Sequence, residues 1–468
     1  MDVSIKIKNI GKIEQANIAL NGLTIIAGEN NTGKSTIGKT VFSIFQGLKN
    51  WPLFYYNYCI ESIYLSLKKS SETLESFCME KTKAIRRRTN RVNRLVEEVS
   101  REKDFIICIE DYQYAELLED KEATHTRLAQ LLLEFCKRYI LIFQNDVQTI
   151  MLENKDFLDK WIDDAARSLE ASVEMDENVL QGRFIRKSFL DCFNKQYLRE
   201  GQDTATIKIK FGSQLYQISL DQERCNILPP IRFGKEIYFI ESPKLFDEIS
   251  RLKDGMDAKK ELREIMRPNS ILNISKTAQQ TFESYESMEY MEEIPEELED
   301  ILSMLREEMG GYARFYAKEG VIFKDDDLKK PVKAQNMSTG VKAMAFLEYA
   351  LRIGAIQKGD ILILDEPEIN LHPEWQESYA RALVLLHKKY ALTILITSHS
   401  PYFIRAIECL ADKYDVMNDL NVYLVDKNDH GEQRIENVME SEYGMTELYD
   451  ILSAPLDALQ DEIDEKYN

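Results

Sequence analysis

The chain has 468 residues, 44% of them hydrophobic and 30% charged, and carries a formal net charge of -20 at pH 7. That length suits two or three domains and that balance suits a globular protein with a sizeable core. The acidic excess excludes a uniformly polyanion-binding surface, so any contact with nucleic acid or an anionic membrane needs a local basic patch.

Seven cysteines are scattered along the chain and never form C-x-x-C. An odd, unpatterned set argues against a disulfide framework or a zinc site and for a reducing cytoplasm. Met1-Asp2-Val3-Ser4-Ile5-Lys6 runs straight into an alternating pattern, which is no signal peptide, and no apolar run is long enough to span a bilayer. The expected location is cytoplasmic.

Val3, Ile5 and Ile7 alternate with polar residues, and Ile13, Ala16, Ile18 and Leu20 continue an extended pattern after Gly11. These predict antiparallel strands beside a nucleotide site. Asn21-Gly22 makes a turn, and Leu23 to Ala27 is a buried strand leading into Gly28-Glu29-Asn30-Asn31-Thr32-Gly33-Lys34-Ser35. That loop fits G-x-x-x-x-G-K-[ST] at every fixed position, and the apolar spacing from Thr36 onward predicts the helix that the motif requires. Gly28 and Gly33 let the backbone curl so that successive N–H groups face phosphates, with the helix N-terminus adding positive charge. Lys34 then reaches the terminal phosphates, and Ser35 is placed for Mg²⁺.

From about Trp51 to Asn194 the composition shifts towards helix formers, with a stripe at Leu128, Leu131, Leu132 and Phe135. This predicts an inserted helical domain. It holds the one basic segment, Glu80 to Lys103, with Lys81, Arg86, Arg87, Arg88, Arg91 and Arg94 as candidate DNA contacts; a solvated helix face is the plainer reading. Ala205–Phe211 and Leu215–Leu220 alternate around Gly212-Ser213-Gln214 and predict a hairpin, and Glu236–Ile240 predicts a further strand. Glu283 to Asp300 is glutamate-rich and reads as a solvated helix face or linker, not a metal site. Tyr312–Tyr316 and Gly320–Phe323 suggest a second hairpin.

Asn336-Met337-Ser338-Thr339-Gly340-Val341-Lys342 opens a helix with Met344, Leu347 and Leu351 at helical spacing, and Ser338 alone reads as an N-cap. Ile361 to Leu364 is a buried strand that delivers Asp365 and Glu366, followed by Pro367-Glu368-Ile369-Asn370-Leu371-His372-Pro373. Glu368, Asn370, His372 and Pro373 are expected to shape a turn and a dimer seam, His372 by capping or packing. A second apolar strand ends in Thr397-Ser398-His399-Ser400-Pro401, Asn421–Asp426 reads as the last strand, and Glu447–Tyr467 as a helix.

The combination GENNTGKS, MSTGVK, LILDEPEINLHP and ITSHSPYF resembles the ATP-binding-cassette ATPases. Within them it is similar to the SMC-related, OLD-like group of bacterial AAA family ATPases, kin to the double-strand-break-repair ATPases. The resemblance covers roughly the first 50 and the last 130 residues. It implies an α/β fold: an ABC-type P-loop NTPase head, its mixed sheet joined to antiparallel N-terminal strands, with an inserted helical domain. Residues 1–50 and 336–468 would form the two halves of the head, 51–200 the insertion, and 201–335 hairpins and an acidic segment completing the head.

At matched positions the resemblance implies that Gly28, Glu29, Asn30, Asn31, Thr32, Gly33, Lys34, Ser35 and Thr36 bind ATP. Ser35 and Asp365 would hold Mg²⁺, Glu366 would polarise the attacking water, and His399 would sense the γ-phosphate. Ser338 and Gly340 would reach ATP on the opposite subunit of a head-to-head dimer. Met337 and Thr339 depart from the usual leucine and glycine, and the glutamine that lines the metal has no clear position, with Gln46 and Gln144 as candidates. OLD proteins carry a nuclease after the ATPase; here only a helical stretch follows Asp426, so an effector is expected in a separate protein. The expected role is therefore a regulatory ATPase of an anti-phage system, with a DNA-repair ATPase and a transporter subunit as alternatives.

Overall fold

A computed structural model describes residues 3–49, 177–231, 233–241, 266, 294–316, 320–325, 327, 330–333, 336–427, 433–441 and 444–467. The chain divides into two compact units, one of Met1–Gly47, Ile185–Leu272 and Glu286–Asn468, the other of Leu48–Phe184 and Asn273–Tyr285. The basic segment Lys81–Arg94, Gln144 and the stripe Leu128–Phe135 lie outside the described residues. The first unit holds every element that positions the site.

In chain order its elements begin with β1 (Val3–Ile10), β2 (Ile13–Ala19) and β3 (Leu23–Ala27). Helix α1 (34–49) follows the phosphate loop, and α2 (Glu177–Cys192) brings the chain back. Next come β4 (Ala205–Phe211), β5 (Gln214–Leu220), β6 (Cys225–Leu228) and β7 (Ile237–Ile240), then α3 (Glu296–Met309). Strands β8 (Gly311–Tyr316), β9 (Gly320–Asp325) and β10 (Val332–Lys333) precede α4 (Thr339–Arg352). The chain ends with β11 (Ile361–Asp365), α5 (Pro373–Tyr390), β12 (Thr393–Ser398), α6 (Pro401–Lys413), β13 (Leu420–Lys427), β14 (Gln433–Asn437) and α7 (Gly444–Tyr467).

The central sheet has the order β14-β13-β3-β12-β11-β7, parallel throughout except for β14. Parallel strands are covered on both faces, which is why Leu23–Ala27, Ile361–Leu364 and Thr393–Ser398 are buried at every residue and show no alternation. On one face Leu23, Ile25, Leu362, Leu364, Ile394, Ile396 and Val422 share a core with α3, α4, α5 and α6. On the other face lies α1, where Phe42 meets Phe239 edge-on and Gly38 leaves room for Ile363 and Phe239. The result is the expected α/β head with a mixed sheet.

A separate antiparallel sheet runs β2-β1-β4-β5-β6, so the N-terminal hairpin pairs with the hairpin returning after α2. Its inner positions, Val3, Ile5, Ile7, Ile207, Ile209 and Ile218, are buried and its alternate positions face outward. Where α1 leaves the unit and α2 re-enters it, Gly47 lets two backbones touch: a Cβ there would sit 2.6 Å from Ile185 Cα.

Two sequence expectations need correction. The described part of the glutamate-rich stretch is no linker: α3 buries Leu298, Ile301, Leu302, Leu305 and Met309, at about 1.5–3 kcal/mol each, and only its acidic face is solvated. The apolar residues recur at i, i+3, i+4 and i+7, a period that the glutamates obscure. Asn421–Asp426 is not the last strand either, because β14 adds an antiparallel edge beside β13. Its sequence Gln-Arg-Ile-Glu-Asn is polar, as an edge strand tolerates.

Candidate functional site

Strands β3, β12 and β11 run parallel and adjacent, so their C-terminal ends open on one edge. Ligands of open parallel sheets bind at this edge. It collects the phosphate loop after β3, Asp365 and Glu366 after β11, and His399 after β12.

The loop is shaped by backbone that side chains would spoil. Gly28 has φ 153° and a Cβ there would stand 2.3 Å from the Val425 carbonyl of β13. Gly33 has φ 107°, and its carbonyl accepts from Thr36 N at 3.0 Å to start α1. Thr32 Oγ1 donates to Glu29 O at 2.9 Å, while Glu29, Asn30 and Asn31 form the exposed tip.

Lys34 is buried, and its ammonium donates to the carbonyls of Gly28 (2.9 Å) and Glu29 (2.8 Å). Burial lowers its pKa, an effect opposed by the Glu366 carboxylate, whose Oε1 lies 3.6 Å away. The same Glu366 Oε1 stands 3.3 Å from His399 Nδ1, a contact that becomes an ion pair when the imidazole is protonated but is not aligned as a hydrogen bond. Lys34, Glu366 and His399 therefore converge on one carboxylate oxygen. Glu366 holds a left-handed backbone, φ 51°, a strained state for a non-glycine residue that clusters at functional sites.

Ser35 stands near enough to Asp365 for its hydroxyl to favour the ionised carboxylate. Burial raises the Asp365 pKa; the hydroxyls of Thr397 and Ser35 oppose it, and the charges of Glu366 and Glu241 reinforce it. Thr397, fully buried on β12, donates through Oγ1 to Asp365 Oδ1 at 2.5 Å and accepts from Glu366 N at 3.1 Å. One hydroxyl and one carboxylate are the hard oxygen donors that Mg²⁺ takes beside substrate phosphates, so the pair fits that ion. Among the described residues no group of three or more acids, histidines or cysteines could hold a metal unaided. A cation here would depend on the nucleotide.

Sequence reasoning placed Glu368 in a turn without foreseeing its contact, and it missed several other neighbours. Glu368 is buried, accepts from Ser398 Oγ at 2.5 Å, and has its pKa raised by burial. Gln433 on β14 donates to Thr32 O at 2.9 Å and accepts from Glu14 N at 3.1 Å, clamping the loop to β2. Lys12, in the β1–β2 turn, donates to Asn31 O at 3.1 Å. Glu241, at the end of β7, pairs with Lys39 of α1 at 2.8 Å. Thr397 and Ser398 stood inside a recognised motif, but nothing local marks Gln433, Lys12 or Glu241, which arrive by strand pairing. Gln46 is buried in α1 twelve residues past Lys34, about 18 Å along the helix, and is no part of this cluster.

Ser338 is the N-cap of α4, accepting from Val341 N at 3.3 Å, and Gly340 packs where a Cβ would meet Asn370 O and the Trp375 ring. Ser338 and Gly340 meet α4, Asn370 and Trp375, and stand apart from Lys34, Asp365 and Glu366. His372 sits at the N-cap of α5 without a side-chain capping bond.

A protein-family model described as AAA ATPase domain matches residues 1–404. Among curated proteins, the energy-coupling factor transporter ATP-binding protein EcfA2 of Clostridium perfringens is 39% identical over 64 residues, 14% of this chain and 21% of that protein. The uncharacterized ABC transporter ATP-binding protein YcbN of Bacillus subtilis is 36% identical over 91 residues, 19% of this chain and 27% of that protein. The chain thus spans about a fifth to a quarter of the length of these relatives. Among solved structures, an SmcHead bound to the C-winged helix domain of ScpA is 13% identical with TM-score 0.42, covering 92% of this chain and 96% of that one. An Smc head domain with a coiled coil and joint derived from Pyrococcus yayanosii is 14% identical with TM-score 0.35, covering 97% and 99%. Among the described residues no helix is long and apolar enough to cross a membrane.

Proposed function

The chain belongs to the AAA ATPase domain family, and from that premise we propose that it binds ATP with Mg²⁺ and hydrolyses it at the edge described above, as a nucleotide-driven switch. The observation that carries this reading is the convergence of Lys34, Glu366 and His399 on one carboxylate oxygen beside the phosphate loop. Lys34 turns from its loop carbonyls to phosphate oxygens. Glu366 accepts a proton from the attacking water, and His399 donates to the transferring phosphoryl group. Phosphoryl transfer needs positioning and charge neutralisation more than covalent chemistry, which this set supplies. Ser35 and Asp365 would hold Mg²⁺, which when bound neutralises charge on the phosphate oxygens.

Ser338 and Gly340 are proposed to complete the site of a second copy in a head-to-head dimer. That would explain why a signature-like helix N-terminus lies apart from the Lys34 cluster of its own chain. On the motif resemblance, the role is that of an SMC-related, OLD-like ATPase in the cytoplasm, controlling a separate effector such as a nuclease in anti-phage defence.

Glu366→Gln tests the reading. The variant should bind ATP–Mg²⁺, hydrolyse it about 10²–10⁴-fold more slowly, and grow in mass when ATP is added. Hydrolysis at the parental rate would remove Glu366 as the base. A mass unmoved by ATP, together with a specific activity independent of protein concentration, would sink the shared site.

A further inference from the structure

Glu368 is a buried acid that the reaction described above leaves unused. It follows the end of β11 by three residues and is almost wholly covered, yet only one of its oxygens is satisfied. Oε1 accepts from Ser398 Oγ at 2.5 Å, while the buried Oε2 has no hydrogen-bond partner. Next to Ser398 stands His399, whose Nδ1 is likewise buried and without a hydrogen bond. Nδ1 lies 3.3 Å from Glu366 Oε1, too poorly aligned to bond, and the charge of His399 acts on Glu368. Nε2 has no partner among the described residues and is not buried, so it is the nitrogen turned outward.

Anchoring the loop between β12 and α6 does not account for this acid. That loop is tied without it: Ser398 Oγ accepts from Ser400 N at 3.1 Å, and Ser400 Oγ caps α6 by accepting from Phe403 N at 3.2 Å. A buried carboxyl with one orphaned oxygen is destabilising. A neutral side chain would hold Ser398 without that penalty. Departures of this kind from local stability are expected where function demands them.

We propose that Glu368 is the positioning residue of His399, sharing one proton between Oε2 and Nδ1 so that Nε2 keeps its hydrogen for the phosphoryl group. This role rests on the ATPase reading above and deepens it. Glu366 cannot act as base and at the same time partner the imidazole. When it turns to the attacking water, Nδ1 loses that neighbour, and Glu368 Oε2 is the unpaired oxygen left in the cluster. The proton count is the same wherever the shared proton sits. On Oε2 it donates to the Nδ1 lone pair of a neutral imidazole, whose hydrogen is then on Nε2. On Nδ1 it makes an imidazolium, again with hydrogen on Nε2, beside an ionised Glu368. The hydrogen bond made by one imidazole nitrogen fixes the state of the other. Burial raises the Glu368 pKa and so helps to keep that proton in the pair.

Steady-state ATPase kinetics of the full chain test this with Glu368→Leu, Glu368→Gln, His399→Ala and the double variant Glu368→Leu/His399→Ala. Rates are taken per titrated ATP-binding site, so that unfolded chains do not count as slow ones. Leucine can neither give nor take the proton. Its kcat should fall about tenfold to a hundredfold, the contribution of one hydrogen bond to a charged group, with KM for ATP unchanged. Glu368→Gln, whose amide can accept from Ser398 and donate to Nδ1, should recover most of the lost rate. Ser398→Ala, which removes the anchoring bond alone, should slow the enzyme less than Glu368→Leu. In the double variant Glu368→Leu should add nothing to the loss caused by His399→Ala. Parental kcat in Glu368→Leu, with His399→Ala and Glu366→Gln still slow, would overturn this role and leave the ATPase reading standing. A Gln variant as slow as Leu, or losses that add in the double variant, would overturn it too. Parental kcat in His399→Ala would remove the role of His399 in hydrolysis and that of Glu368 with it.

Discussion

Thr397 offers the sharpest test of how the site is built. Its hydroxyl donates to Asp365 at 2.5 Å and accepts from Glu366 N at 3.1 Å, and the residue has no exposed surface. Thr397→Val keeps the shape and deletes both bonds. The Glu366 amide keeps a partner in Thr397 O at 3.0 Å, so the cost falls on the Asp365 carboxylate. A hydrogen bond to a charged group contributes about 1.5–3 kcal/mol, so stability should fall by about 2 kcal/mol. Thr397→Ser, which keeps the hydroxyl and loses a methyl, should cost about 1 kcal/mol. The deleted bond is one that holds the Asp365 pKa down against burial, so the valine variant should also need more Mg²⁺ for half-maximal ATPase rate, and more so at lower pH. Urea unfolding and Mg²⁺ titration of the ATPase read the two effects. If valine and serine variants matched in Mg²⁺ dependence, Thr397 would not tune Asp365.

Gly28→Ala should abolish ATP binding and cost about 3 kcal/mol, since its Cβ would meet the Val425 carbonyl at 2.3 Å in a backbone with φ 153°; nucleotide affinity near that of the parent would show that the loop can be rebuilt. Glu368→Gln should raise the unfolding midpoint at pH 7, because burial disfavours the charged carboxyl, whose Oε2 has no partner. The sign follows from linkage. An acid whose pKa is raised by folding loses stability as pH climbs from the ordinary carboxylate value through the folded one, so the advantage should fade towards pH 4. A gain that persisted at pH 4 would point to packing and not charge.

The motifs were legible because each is a local pattern with a fixed physical need. Gly28 and Gly33 mark curled backbone, Ile361–Leu364 and Thr393–Ile396 mark strands buried on both faces, and Asp365, Glu366 and His399 follow those strands directly. The two hairpins were legible from alternation around a turn. For α3 the acidic composition showed the solvated face but hid the apolar stripe behind it.

What the sequence by itself determined, then, is the set of chemical groups and the strand ends that carry them. Tertiary structure decided which of these meet. Strand order sets β12 between β3 and β11, which puts Thr397 against Asp365 and brings Glu366 within reach of both Lys34 and His399. Antiparallel pairing across about 200 residues brings Lys6 beside Lys208, and pairing across about 400 brings Gln433 to Thr32. Register is fixed by which side of each strand must be buried, and a pairing between distant strands leaves no trace in either strand's own pattern.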